Sequence, residues 1–235
     1  MPDTKRPAFP ESRVFRPDLT DTEITELQFI SLLEGNMMPV QQFFTYYRCA
    51  IMEIETKFRV LDAQFSLDGE SNPIEFIQSR IKSYGSIMRK MAVQNIPRQL
   101  DAMEKEIYDI AGIRVVCYYV QDIYALAELL HLQETFQVVK VKDYIKHPKP
   151  SGYRSLHMLL TVPVRLAGGR QLVPVEIQIR TIAMDFWASL EHQLHYKTDC
   201  VVSDALKEEL RDCAETIAQT DLQMQDIYQR IHDLD

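Results

Sequence analysis

Val175-Glu176-Ile177-Gln178-Ile179-Arg180 alternates apolar and polar residues without a break, the period of a strand with one face buried and one face open. Val175, Ile177 and Ile179 share one side; Glu176, Gln178 and Arg180 share the other. Alternation alone fits an ordinary half-exposed strand as well as one that presents working groups. Upstream, Ser155 to Leu166 has the same character, and Gly168-Gly169 between the two segments reads as the loop of an antiparallel hairpin. Farther back, Ile113 to Val120 and Phe136 to Val141 are β-branched and aromatic, and Asp122 to Glu134 between them carries Ile123, Leu126, Leu129 and Leu130 at helical spacing. A strand-helix-strand crossover followed by a hairpin predicts a mixed sheet, hence an α+β fold with at least four strands.

Helices frame this sheet. Phe43, Tyr47, Ile51, Ile54 and Phe58 recur every three or four residues between Pro39 and Phe65, the apolar stripe of a long helix. After the turn-rich 68–71 stretch, Asn72, Pro73 and Glu75 resemble an N-cap, a first-turn proline and a capping-box acid. A second helix is predicted from Pro73, with Ile74, Ile77, Ile81, Tyr84, Met88 and Met91 on one face and Lys82, Ser86, Arg89 and Lys90 opposite. Arg80 falls near the apolar edge of that helix. Thr181 to Tyr196 and Asp204 to Leu234 read as two terminal helices, the last rich enough in apolar residues to pack on the sheet or on another subunit. Residues 1–22, rich in proline and polar groups, read as a loose arm, residues 23–200 as the main domain and 201–235 as a C-terminal helix.

The 235 residues suffice for one core, and 46% hydrophobic with 26% charged residues is ordinary for a globular protein. No apolar run approaches the roughly 20 residues of a membrane span and no export signal is evident, so a cytoplasmic protein is expected. Cys49, Cys117, Cys200 and Cys213 form no Cys-x-x-Cys pair and read as reduced thiols. The net charge of −8 argues against a nucleic-acid platform over the whole surface. One segment runs against it: Lys140, Lys142, Lys146, Lys149 and Arg154 face a single acid, Asp143.

That segment continues as Lys149-Pro150-Ser151-Gly152-Tyr153-Arg154, a stiff turning loop whose lysines suit phosphates and whose tyrosine offers a flat face to a purine. A solvated basic loop with a packed tyrosine remains the bland alternative. Asp109, just before Ala111-Gly112, stands where a carboxylate can project from a strand entrance. With Glu176 it makes the pair of acids that suits Mg²⁺, which takes one or two carboxylates and fills its other positions with water and phosphate oxygens. There is no P-loop, Rossmann glycine pattern or Cys/His metal spacing, so any phosphate must be held by side chains.

Three ordered segments, Tyr108-Asp109-Ile110-Ala111-Gly112-Ile113-Arg114, Asp143 through His157, and Val175 through Thr181, together resemble the RelA/SpoT-type alarmone synthetase domain over roughly Pro73 to Lys197. The short chain is similar to a small alarmone synthetase, and the Asn72–Arg80 and Phe186-Trp187 neighbourhoods resemble its tetrameric RelQ-like branch. The resemblance implies a nucleotidyltransferase-like fold, a mixed sheet of about five strands with long helices at both ends. It also implies a Mg²⁺-dependent GTP pyrophosphokinase moving the β,γ-diphosphate of ATP to the 3′-hydroxyl of GTP or GDP, giving pppGpp or ppGpp and AMP.

By position, Asp109 and Glu176 match the metal-associated catalytic acids, with Glu176 preparing the acceptor hydroxyl. Arg80 and Arg114 match arginines that sandwich the adenine of ATP, and Lys82, Ser86 and Lys90 its phosphate contacts. Tyr153 matches the guanine-stacking tyrosine, with Lys142, Lys149, His157 and Gln178 around the acceptor. Lys142 stands where an arginine can occur, which removes a bidentate phosphate contact. A homotetramer is implied, and in that branch a central cleft takes the product as activator. Phe76 matches a residue of the cleft, but Asp185 replaces an expected asparagine, and Glu55 and Asp62 replace basic positions, so weak or absent product activation is expected. The contrasting function is a module that senses nucleotides or binds single-stranded RNA through the basic loop and Tyr153.

Overall fold

The computed structural model describes Phe29, residues 37–68, residues 72–196 and residues 203–233. The expectation for residues 1–22 lies outside them, as does Cys200. Along the described chain run α1 (Met37–Asp68), β1 (Ile74–Ile81), α2 (Tyr84–Val93), α3 (Leu100–Glu106), β2 (Ala111–Cys117), α4 (Val120–His131), β3 (Gln137–Asp143), β4 (Leu156–Leu166), β5 (Gly169–Thr181), α5 (Ile182–Tyr196) and α6 (Asp204–His232). The five strands form one sheet in the order β1-β2-β5-β4-β3. β2 and β5 are parallel, and the other three pairings are antiparallel, so the sheet is mixed, as the sequence predicts.

The alternation of β5 fixes which way that sheet faces. Val173, Val175, Ile177 and Ile179 are buried against the core, each contributing about 2 kcal/mol by leaving water. That core joins Phe44, Tyr47, Ile54 and Phe58 of α1 to Ile123, Leu126 and Leu130 of α4 and Ile87 and Met91 of α2. β4 and β5 meet in a two-residue turn, with Leu166 opposite Gly169. Gly169 has φ +119°, a conformation open to glycine and strained for other residues.

The stretch after Asn72 is a strand, not the predicted helix. Its apolar residues fit a 3.6-residue period only because both faces of this edge strand carry them: Ile77 packs on the core, while Phe76 shares the other side with Gln78 and Arg80. The apparent cap is a turn, in which the Asn72 side-chain carbonyl accepts the Ile74 amide at 2.9 Å. Glu75, the supposed capping acid, accepts instead from the Tyr118 hydroxyl. Helix begins only at Tyr84, where the Ser83 hydroxyl accepts the Ser86 amide at 3.3 Å. The short helix α3 carries no periodic signal that the sequence reading caught.

Helix α6 lies on the domain. Trp187 Nε1 donates to the Leu210 carbonyl at 3.3 Å, Arg154 Nη2 to Glu215 Oε2 at 2.7 Å, and Thr181 Oγ1 to Asp221 Oδ2 at 2.6 Å. Ala214 and Ile217 face inward, whereas Leu206, Leu222, Met224, Ile227 and Ile231 are exposed. Cys49 is partly buried, Cys117 buried and Cys213 exposed, and all three are free thiols. Among the described residues no helix is long and apolar enough to cross a membrane.

Candidate active site

Strand register assembles the polar face of the sheet into rows. One row crosses all five strands as Gln78, Arg114, Gln178, His157 and Lys142, and the next as Arg80, Gly112, Glu176, Leu159 and Lys140. Residues from five separated segments thus meet because each occupies the outward parity of its strand. Arg80, ambiguous on a helix, falls opposite Gly112 once its segment is a strand. A Cβ at Gly112 would make only an ordinary contact with the Arg80 side chain, at 3.9 Å.

Asp109 precedes β2 and is gripped from one side. Lys82 Nζ lies 2.9 Å from its Oδ2 and Lys90 Nζ 2.7 Å from its Oδ1. Burial pushes the Asp109 carboxyl up, but the hydrogen bonds from Lys90 and Lys82 outweigh it and hold the pKa below the ordinary value. Lys82 stands just ahead of α2, Ser86 in its first turn and Lys90 one turn farther on, so the three predicted phosphate contacts line one approach to Asp109.

Glu176 is the second acid. Its Oε2 accepts from Gln178 Nε2 at 2.8 Å, and its Oε1 lies 3.4 Å from His157 Nδ1. Burial raises its pKa, the His157 and Gln178 contacts lower it more, and the negative charge of Asp109 pushes back upward. The two acids are therefore electrostatic neighbours, and both stay ionised near neutral pH. Among the described residues no group of three or more His, Cys, Asp or Glu residues forms a metal cage. Two neighbouring carboxylates without a third protein ligand fit Mg²⁺, whose remaining positions go to water and phosphate.

The loop between β3 and β4 carries the aromatic side of the site. Tyr153 Oη is 2.8 Å from His157 Nε2, and Lys149 Nζ lies 4.6 Å from the Tyr153 ring centre and 4.9 Å from that of Tyr144. Asp143 folds the loop by accepting the Ile145 and Lys146 amides, each at 2.9 Å. Gly152, at φ +88°, turns the chain tightly against α6, where a Cβ would come 2.5 Å from that of Ala214. All twelve predicted site residues thus border one face of the sheet or the loop and helix at its rim.

Two members of this surface were not singled out as site residues. Arg180 follows Glu176 and Gln178 in parity on β5, which is the signal that could have found it. Asp185 of α5, expected at an effector cleft, is ion-paired within the chain: its Oδ1 accepts from Arg180 Nη1 at 3.1 Å and pairs with Arg114 Nη1 at 3.3 Å. Its charge is therefore compensated and cannot count as a free repelling charge. Glu55 accepts from Ser79 Oγ at 2.5 Å, and the Asp62 side chain lies outside the described ones.

Comparison with known proteins places this arrangement. A family profile described as a region found in RelA / SpoT proteins matches residues 79–200. The chain is 43% identical to GTP pyrophosphokinase YwaC of Bacillus subtilis over 178 residues, covering 76% of this chain and 85% of that protein. It is 36% identical to GTP pyrophosphokinase YjbM of the same organism over 188 residues, 80% of this chain and 87% of that protein. Among solved structures, small alarmone synthetase 1 from Bacillus subtilis bound to its product pppGpp superimposes with a TM-score of 0.76 at 36% identity, covering 82% of this chain and 98% of that one. Small alarmone synthetase 2 from the same organism gives 0.74 at 40% identity, with 81% and 98% covered. Motifs, sheet topology and relatives agree, and the chain belongs to the RelA/SpoT family.

Proposed function

We propose that this protein is a GTP pyrophosphokinase, a small alarmone synthetase that transfers the β,γ-diphosphate of ATP to the 3′-hydroxyl of GTP or GDP and releases AMP. The observation that carries the reading is the placement of Glu176 at the centre of the polar face, between Asp109 with its lysines on one side and the Tyr153–His157 pair on the other. The relatives named as GTP pyrophosphokinases, and the synthetase structure bound to pppGpp, support the same chemistry.

Arg80 and Arg114 hold the adenine, and Lys82, Ser86 and Lys90 receive the phosphates. Tyr153 stacks on the guanine while Lys142, Lys149, His157 and Gln178 surround the rest of the acceptor. The acceptor 3′-oxygen attacks the β-phosphorus in line as the bond to the α,β-bridging oxygen breaks, and AMP leaves with that electron pair. Glu176 accepts the hydroxyl proton, and its low pKa keeps it ready as a base across the neutral range. Lys82 and Lys90 neutralise charge on the migrating diphosphate, and holding both nucleotides on one rigid face supplies alignment. Mg²⁺, held by Asp109 and Glu176 together with phosphate oxygens, supplies further charge neutralisation when bound.

Residues 23–200 form the synthetase domain in this reading. The exposed Leu222, Met224, Ile227 and Ile231 of α6 support self-association, for which the RelQ-like resemblance favours a tetramer; a cytoplasmic location is expected for such an enzyme. Purified protein incubated with ATP, Mg²⁺ and each guanine nucleotide, with products resolved by anion exchange, tests the proposal. Wild type is expected to yield AMP and a 3′-diphosphorylated guanine nucleotide, and Glu176→Gln to yield neither. Intact nucleotide binding without product in wild type would overturn synthesis in favour of a sensor.

A further inference from the structure

Between the residues assigned to the two nucleotides lies a pair assigned to neither. Asp185 Oδ1 accepts from Arg180 Nη1 at 3.1 Å and sits 3.3 Å from Arg114 Nη1. The other terminal nitrogen of Arg180 donates to Tyr153 Oη at 2.6 Å and to Gln178 Oε1 at 2.8 Å. Its guanidinium carbon lies 5.1 Å from the centre of the Tyr153 ring. One carboxylate oxygen therefore links Arg114, on the donor side, to Tyr153 and Gln178, on the acceptor side.

Charge explains why an acid is needed at this point. Burial lowers the Arg114 pKa, the positive charges of Arg180 and Arg80 lower it further, and Asp185 opposes them. Arg180 is 5% exposed, so water screens little of its repulsion with Arg114. Asp185 is the counter-charge that lets two guanidinium groups lie side by side. Arg180 then spends its planar fork on three partners at once, an arrangement that a single-point cation cannot reproduce.

We infer that Asp185 is a positioning residue that, through Arg180, ties the donor half of the site to the acceptor half, so that its charge supports the binding of both nucleotides. The inference rests on the proposed assignment of Arg114 to ATP and of Tyr153 and Gln178 to the guanine nucleotide. An acid in the first turn of α5 can also act merely as a favourable charge at a helix start. That role would change stability and leave both affinities alone.

The test is calorimetric titration of wild type and Asp185→Asn with a non-hydrolysable ATP analogue and, separately, with GDP, both with Mg²⁺, beside thermal melts. Asparagine keeps the shape and an acceptor oxygen but removes the charge. Both dissociation constants are expected to rise by at least about threefold. A change in only one affinity, or in neither, overturns the link, as does a fall in melting temperature with both affinities intact. Should Asp185→Asn not fold, Arg180→Lys takes its place, with the same double weakening expected and the same outcomes refuting it. The product assay is separate: wild type that binds both nucleotides but makes no product defeats the proposed synthesis and leaves the link to be judged by the titrations. Wild type that binds neither nucleotide defeats both.

Discussion

Replacing Gly152 with alanine should damage the protein in two separable ways. At φ +88° an L-residue incurs about 1–2 kcal/mol of backbone strain. The new methyl carbon would also lie 2.5 Å from the Ala214 Cβ, against a comfortable separation of roughly 3.5–4.0 Å. Loop and helix must part by about 1 Å, which in a packed contact costs about 1–3 kcal/mol. The sum is about 2–5 kcal/mol, or roughly 4–20 °C in melting temperature for a domain of this size. The Ala214→Gly change opens the space but by itself costs about 1 kcal/mol in helix propensity. A double-mutant cycle by chemical denaturation isolates the steric part: the pair should show about 1–3 kcal/mol of favourable coupling, while the backbone strain persists. Because Tyr153 is the next residue, the single variant should also raise KM for the guanine nucleotide more than KM for ATP. A Gly152→Ala protein within about 0.5 kcal/mol of wild type, or a cycle without coupling, would refute the reasoning.

Three further outcomes can be checked. Burial raises the Asp221 pKa and the Thr181 hydrogen bond only partly offsets it; a carboxyl raised on folding favours the folded state below its unfolded pKa and loses that contribution as pH rises through its folded pKa. Asp221→Asn, which can still accept from Thr181, should therefore gain more melting temperature at pH 7 than at pH 4, and equal shifts at both would contradict this. Tyr153→Phe removes the hydroxyl that meets Arg180 and His157 but keeps the ring, so steady-state kinetics should show acceptor KM rising by about threefold to tenfold, less than for Tyr153→Ala. Added alarmone should stimulate initial rates weakly or not at all. That expectation no longer draws on Asp185, whose charge is compensated, and a clear stimulation would defeat it.

Period-two alternation carried the central part of the fold. From Ile113 onward every strand and the hairpin turn were legible, because buried β-branched residues and glycine punctuation point the same way there. The failure at Ile74–Ile81 has a definite physical origin. An edge strand covered in part on both faces scatters its apolar residues, and Asn72-Pro73 imitates a helix cap while making a turn. Glu176 and Gln178 could be placed on one face from the sequence, but their meeting with His157, Arg114 and Lys142 depends on register, which no single segment encodes. Asp185 was visible as an unexpected acid, yet its partners lie on two strands, so its pairing waited on the tertiary structure.

The row from Gln78 through Arg114, Gln178 and His157 to Lys142 also acts as a ruler. With strands about 4.8 Å apart, it spans about 19 Å, with the residues proposed for ATP toward the β1 end, those proposed for the acceptor toward the β3 end and the proposed transfer point over β5. On the proposed assignment, distance between the substrates would thus be set by backbone hydrogen bonds rather than by flexible side chains. On the same assignment, changes at Lys142 on the edge strand β3 should alter acceptor preference without moving the centre. A one-residue slip in β5 would instead turn Glu176 into the core and take the proposed base away from the polar face.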